Sequence, residues 1–154
     1  MATKNQFYDH PTYITRMGMA MGENPTAGGA LQFAKFVAYT NMLAFQAVFT
    51  VTTAGTITSN VLVVQKISGT NTTVLGTATL GTNVQGSVVT LPFTAYQVSA
   101  SGTTTTTATN SASVGGGATL IQGDQITTLL ATDSSLKVAV SYEVETQPFA
   151  NLIL

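Results

Sequence analysis

The sequence contains no cysteine, no tryptophan and a single histidine among its 154 residues. Without cysteine the chain cannot form disulfides, a thiolate nucleophile, or a zinc or iron–sulfur site built on thiolates. One histidine cannot make a histidine-rich metal site within one chain. We therefore expect no metal and no cofactor.

Charge is equally scarce, at 7% of residues against about 25% in an ordinary domain. Five Lys and Arg residues and six Asp and Glu residues give a net charge of −1. The cations are scattered, so we expect no nucleic-acid partner. No apolar run reaches about 18 residues, so no membrane partner is expected, and the polar start predicts no signal peptide.

Threonine, with 29 residues in the chain, supplies much of the polarity that charged side chains supply in other domains. Its branched side chain favours strands, and its hydroxyl keeps an exposed face hydrated without a formal charge. The length fits one domain with its own core, and the composition predicts an all-β fold. A surface with so little charge is poorly protected against association, which indicates a surface covered by partners.

Alternating patterns predict about eight strands between Phe36 and Thr146, separated by turns rich in Gly, Asn and Asp. Segment 136–146 places Leu136, Val138, Val140, Tyr142 and Val144 on one face, and segment 43–53 does the same for Leu43, Phe45, Ala47, Phe49 and Val51. Low-complexity residues 101–117 form either a long loop or a poly-Thr strand. The spacing indicates an antiparallel sandwich or barrel.

Residues 1–35 lack a sustained helix or strand period. They carry aromatic residues around Pro11, so we interpret them as an extended arm that lies on its own domain or on a neighbour, with a frayed terminus as the alternative. Met17, Met19 and Met21 alternate here. They form either a flexible contact strip or the packed side of an edge strand.

Candidate catalytic groups are few. Asp9 and His10 are adjacent, but neighbours in an extended chain do not point at one another, and Pro11 keeps His10 extended. Glu143 and Glu145 share a strand face, yet no loop supplies the six oxygens that calcium needs, so a solvated face is predicted. Asp124 lies in a turn, where Asp accepts backbone hydrogen bonds. These patterns predict a protein that is not an enzyme.

Several segments in order resemble a known family: Phe49–Thr56 before Val61–Val64, Leu75–Gly81 before Ser87–Leu91, and Ile121–Ile126 before Leu136–Glu143. This order resembles the small jelly-roll virion proteins of tailed bacteriophages, particularly capsid decoration or cement proteins. Segment Phe7–Arg16 also looks like the N-terminal arm of such proteins.

The resemblance implies an antiparallel jelly-roll-like β-sandwich with an extended N-terminal arm (1–35) and a sandwich domain (36–154) that ends in an apolar tail (147–154). It implies a protein made in the host cytoplasm and located on the capsid surface of the virion. It also implies two partners, the major capsid protein and other copies of the chain, with a trimer favoured over a dimer.

The arm and tail would then carry the interface, because aromatic side chains and Arg dominate such contacts. The predicted interface residues are Phe7, Tyr8, His10, Tyr13, Ile14, Arg16, Phe149, Leu152, Ile153 and Leu154. The main alternative is a receptor- or glycan-binding module of a head fibre or tail fibre. The absence of Trp, and the position of most aromatics before residue 50, disfavour a sugar site.

Overall fold

The structure is a computed structural model, and it describes residues 16–23, 31–56, 60–80, 84–93, 99–101, 106–110, 117–130 and 135–146. These residues form strands, turns and bends only. Within these ranges no helix is long and apolar enough to cross a membrane. The strands are β1 (Arg16–Glu23), β2 (Leu31–Val37), β3 (Met42–Thr53), β4 (Asn60–Ser68), β5 (Asn71–Leu80), β6 (Val88–Pro92), β7 (Ser99–Ser101), β8 (Thr106–Asn110), β9 (Ala118–Leu120), β10 (Gln125–Leu130) and β11 (Lys137–Thr146).

Two antiparallel sheets pack against each other. Sheet A has the order β1-β11-β3-β6-β7, with β9 also paired to β3, and sheet B has the order β2-β10-β4-β5-β8. Without β7, β8 and β9, the remaining four strands of each sheet have the neighbours of a jelly roll, the sandwich made from two Greek keys. The predicted antiparallel jelly-roll-like β-sandwich is thus confirmed, and the poly-Thr segment contributes strand β8.

The core lies between the sheets and follows the predicted alternation along most strands. Strand β11 buries Val138, Val140, Tyr142 and Val144, and β4 buries Leu62 and Val64. Burial of each such side chain contributes about 1.5–3 kcal/mol relative to leaving it in water. The last strand was therefore predictable from its sequence alone.

Strand β3 departs from the predicted alternation. Its pairing with β11 shifts between Glu143 and Val144, which face Gln46 and Ala44, so Phe45 is an extra residue in β3. Such a bulge reverses the faces of the residues before it. Met42 and Ala44 are consequently buried, whereas Leu43 and Phe45 are half-buried. The prediction that Leu43 and Phe45 share a face with Phe49 was wrong.

The region interpreted as an arm contributes two strands to the sandwich. Strand β1 pairs with β11 at the edge of sheet A, and β2 pairs with β10 at the edge of sheet B. Met17, Met19 and Met21 pack against the core, as in the edge-strand alternative. Gly18, Gly22 and a register shift after Ala20 interrupt the strand signal in the sequence. The sandwich thus begins at Arg16 rather than Phe36, and residues 1–15 lie outside the described residues.

One buried hydrogen bond joins the two sheets through the core. The Tyr142 hydroxyl of β11 and the Thr128 hydroxyl of β10 are 2.7 Å apart, and both side chains are buried. Burial raises the pKa of Tyr142, while the bond to Thr128 opposes that rise. The phenol is therefore neutral at physiological pH.

Replacing Tyr142 with Phe is expected to lower the free energy of unfolding by about 1–3 kcal/mol, because the buried Thr128 hydroxyl loses its partner. Urea denaturation of the two proteins measures this difference. The double variant Tyr142→Phe with Thr128→Val should recover part of the loss, since both polar groups are then removed. Additive losses in the double variant would contradict the assignment.

Candidate interface at one end of the sandwich

Both ends of the described chain meet at one end of the sandwich. Arg16, the first residue of β1, pairs with Glu145 of β11. Thr146, the last residue of β11, pairs with Met42, and Met42 pairs on its other side with Leu120 of β9. The chain therefore enters and leaves the sandwich beside the β2–β3 connection and the turn that follows β9.

The turn Ile121–Asp124 has a defined geometry. The Asp124 N–H donates to the Ile121 carbonyl at 3.0 Å, and Gly123 has a φ of 93°, which suits the third position of a type II turn. The turn is bound to the β2–β3 connection by two further bonds. The Ala38 N–H donates to the Asp124 carbonyl and the Gly123 N–H donates to the Ala38 carbonyl, each at 2.8 Å.

An ion pair between the buried Asp124 and the partly exposed Lys66 supports this turn. The Asp124 Oδ2 accepts from the Ile121 N–H at 3.0 Å and lies 3.1 Å from the Lys66 Nζ. Lys66 also donates to the Thr119 carbonyl at 2.7 Å. Because Lys66 belongs to sheet B and Thr119 to sheet A, the hydrogen bond between them closes this end of the sandwich, and the ion pair with Asp124 holds the Lys66 ammonium group in position for it.

The surroundings of Asp124 favour its charged form. Burial alone would raise the pKa of the Asp124 carboxyl, but hydrogen bonds from the Ile121 N–H, the Ser68 hydroxyl and Lys66, together with the Lys66 charge, lower it below its ordinary value. The prediction that Asp124 accepts a backbone hydrogen bond in its turn is confirmed. The pairing with Lys66 was not visible in the sequence.

Three large hydrophobic side chains are exposed around this turn, and we call them the end patch: Val37, Tyr39 and Ile121. Their exposed fractions are 51%, 58% and 54%. Val37 and Tyr39 flank Ala38, whose backbone is bonded to the turn that Ile121 begins. Three exposed apolar side chains thus lie on two backbone segments that are hydrogen-bonded to each other, which favours a contact surface at this end of the sandwich.

The predicted interface residues are distributed unevenly over the structure. Arg16 begins β1, and its backbone pairs with Glu145. The others lie outside the described residues: Phe7, Tyr8, His10, Tyr13, Ile14, Phe149, Leu152, Ile153 and Leu154. The sequence reading missed the end patch, since Val37 and Tyr39 resembled strand residues. A signal did exist at Ile121, an apolar residue directly before a Gln-Gly-Asp turn.

The acidic residues of β11 form a separate feature. Glu143 accepts a hydrogen bond from the Gln46 side-chain amide at 2.5 Å, on the half-buried face of the strand. In the part of the chain that the structure describes, no group of three or more His, Asp or Glu side chains is placed to hold a metal ion.

No protein-family model, no curated protein and no solved structure matches this chain.

Proposed function

We propose that this chain is a non-enzymatic virion structural protein that binds the outside of a phage capsid and staples neighbouring major capsid subunits. In this proposal the jelly-roll sandwich projects from the shell, and the segments before Arg16 and after Thr146 make the contacts. Jelly rolls are a common architecture of viral structural proteins, although fold alone does not assign a function.

The observation that carries the proposal is that the first described strand begins, and the last one ends, beside the end patch. Arg16 and Thr146 lie at the same end of the sandwich as Val37, Tyr39 and Ile121. One end of the domain thus presents an apolar surface together with two segments rich in aromatic and aliphatic residues. This arrangement suits a protein that attaches by one end to a larger surface.

The N-terminal segment is long enough to connect two neighbouring capsid subunits. Fully extended, the residues before Arg16 would span at most about 50 Å, which exceeds the diameter of a small domain. Tyr8, Tyr13 and Ile14 could therefore contact a subunit other than the one beneath the sandwich. Many such contacts repeated over a symmetric shell give strong attachment even when each one is weak.

The proposal includes self-association, with a trimer favoured over a dimer. Subunits on a symmetric shell occupy closed symmetric sites, and three-fold positions suit a decoration protein. The low charge of the chain, 7% of residues, supports a surface that packs against neighbours.

The test compares arm variants of the full chain for binding to shells assembled from the cognate coat protein. Replacing Tyr8, Tyr13 and Ile14 with Ser is expected to weaken co-sedimentation at least tenfold, because buried aromatic anchors carry most of an interface's binding energy. Urea denaturation is expected to show unchanged stability, because in this proposal the three side chains contact the shell rather than the sandwich.

A matched control replaces Thr3, Thr12 and Thr15 of the same segment with Ser, which removes methyl groups but no anchor. This control should sediment with the shells like the unmodified chain. If the Tyr8, Tyr13 and Ile14 variant sediments equally well, the proposed stapling role of the arm is contradicted.

A receptor- or glycan-binding module is the second candidate, and the exposed ring of Tyr39 favours it. Sugar sites use exposed aromatic faces beside polar groups. Saturable binding of a defined oligosaccharide by the full chain, lost in Tyr39→Ala and retained in the arm variant, would favour this candidate over capsid binding.

A further inference from the structure

The C-terminal tail leaves the sandwich next to the end patch. Thr146 pairs with Met42, and Met42 pairs with Leu120, the residue before Ile121. Tyr39 precedes Met42 by three residues, so the exit point lies one strand away from the segment that carries Tyr39 and two strands away from the segment that leads into Ile121. Adjacent strands are about 4.8 Å apart, which puts Thr146 roughly 10 Å from the strand that leads into Ile121.

The tail also has sufficient length and suitable chemistry to cover the patch. Residues 147–154 could span at most about 28 Å when extended, well beyond the separation from the patch. Their sequence, Gln-Pro-Phe-Ala-Asn-Leu-Ile-Leu, carries no charged side chain. Apolar side chains on both sides would be removed from water without burying a charge.

We propose that the tail, residues 147–154, docks on the end patch of its own chain, with Leu152 and Ile153 covering Ile121 and Tyr39. The proposal concerns the isolated chain, so it stands or falls separately from capsid binding. Docking within one chain benefits from a high effective concentration, because the tail is tethered beside its site. In the isolated chain the tail then covers the end patch, so the patch is not permanently exposed.

The N-terminal segment is a weaker occupant of the same surface. It starts from β1, which lies beyond β11 and is therefore one strand farther from β9 than the tail is. It also carries Lys4 and Asp9, whose burial against an apolar patch would be costly. The distance to Ile121 and the chemistry therefore favour the tail, whereas β1 itself contacts β2, the strand that ends at Val37.

The absence of cysteine permits a direct test by thiol labelling of the full chain. Ile121→Cys places one thiol in the end patch, and Val84→Cys places one at the opposite end of the sandwich, where the parent side chain is 62% exposed against 54% for Ile121. The rate at which a small disulfide reagent labels each folded variant is divided by the labelling rate of the same variant unfolded in urea. This ratio corrects for differences in the intrinsic reactivity of the two thiols. We expect Ile121→Cys to react at least tenfold more slowly than Val84→Cys.

Charged substitutions in the tail then test whether the tail is the segment that protects Ile121→Cys from labelling. Adding Leu152→Asp and Ile153→Asp should raise the Ile121→Cys rate to that of Val84→Cys, because the tail can no longer pack on the patch. Asn151→Asp is the matched control: it adds a charge to the tail without removing an apolar side chain, so most of the protection should remain.

A fluorescence measurement keeps Ile121 intact and gives an independent reading. Because the chain has no Trp, Tyr39→Trp supplies a single reporter in the patch. Its emission should lie at shorter wavelength than that of the same variant carrying Leu152→Asp and Ile153→Asp. Equal spectra, with an emission typical of a water-exposed indole in both, would contradict the docking.

The remaining outcomes also decide the proposal. Equal labelling rates for Ile121→Cys and Val84→Cys would show that the patch is uncovered. Protection that survives the Asp substitutions would assign the cover to another segment. Protection that disappears on dilution would assign it to a second copy. Each of these results overturns the proposal, while protection that is independent of concentration and abolished by the Asp substitutions supports it.

Discussion

Replacing Asp124 with Ala is expected to lower the free energy of unfolding by about 2–4 kcal/mol at neutral pH. The substitution leaves the Ile121 N–H without its acceptor and removes the carboxylate beside Lys66, which keeps only its hydrogen bond to the Thr119 carbonyl among these contacts. Lys66 is only partly exposed, with 24% of its side chain in contact with solvent, so water replaces the lost partner incompletely. Urea denaturation near pH 7 measures the difference.

The effect should depend on pH in a defined direction. The folded state lowers the pKa of Asp124 below its ordinary value near 3.8. A depressed folded pKa contributes stability that is fully present above the unfolded value and is lost as pH falls through the folded one. The gap in stability between the unmodified chain and Asp124→Ala should therefore be constant above about pH 5 and shrink below pH 3.8.

The matched control for this prediction is Glu23→Ala. Glu23 is an exposed carboxylate at the end of β1, so its removal should change stability by no more than about 0.5 kcal/mol. A loss as small for Asp124→Ala as for Glu23→Ala would contradict the proposed closing role of the Lys66–Asp124 ion pair.

Replacing Gly117 with Ala is expected to destabilise the fold by about 3–5 kcal/mol. Gly117 precedes β9 and has a φ of 100°, a conformation that other residues rarely adopt. A Cβ atom there would also lie 2.6 Å from the Ala44 carbonyl oxygen, so the pairing of β9 with β3 would have to shift. Thermal or urea denaturation measures the loss.

Gly86→Ala separates the two causes. Gly86 has a similar φ of 87°, but no other heavy atom lies within 4 Å of the position that its Cβ would take. This control should therefore cost only about 1–2 kcal/mol of backbone strain. Equal losses of unfolding free energy in Gly117→Ala and Gly86→Ala would contradict a destabilising contact between the new Cβ atom and the Ala44 carbonyl.

The sequence predicted those features of the fold that depend on local alternation. Strand β11 was recognised because Val138, Val140, Tyr142 and Val144 alternate without interruption. Strand β3 was recognised, but the faces of Leu43 and Phe45 were not, because a bulge cannot be seen in an unbroken run of apolar residues. Strand β1 was missed because Gly18 and Gly22 weaken the strand pattern, while its pairing with β11 and the packing of its Met side chains on the core stabilise it.

The candidate interface was less predictable for a physical reason. The pairing of Lys66 with Asp124 joins residues far apart in the chain, and local patterns carry no information about it. Val37 and Tyr39 are exposed because they alternate with the buried Phe36 and Ala38, but their position beside Ile121 depends on the backbone bonds between Ala38 and the turn at Gly123. The sequence predicted an interface on the two terminal segments. The structure adds the end patch, which lies beside the start of β1 and the end of β11.

The most direct test of the proposed function is the saturation binding of the full chain to shells of the cognate coat protein. Light scattering first gives the mass of the free chain, and quantitative sedimentation then gives the number of chains bound per shell. Our account predicts an oligomer, with three chains favoured, that saturates the shell at a fixed ratio to the coat subunits. A monomer that stays in the supernatant at every concentration would contradict it.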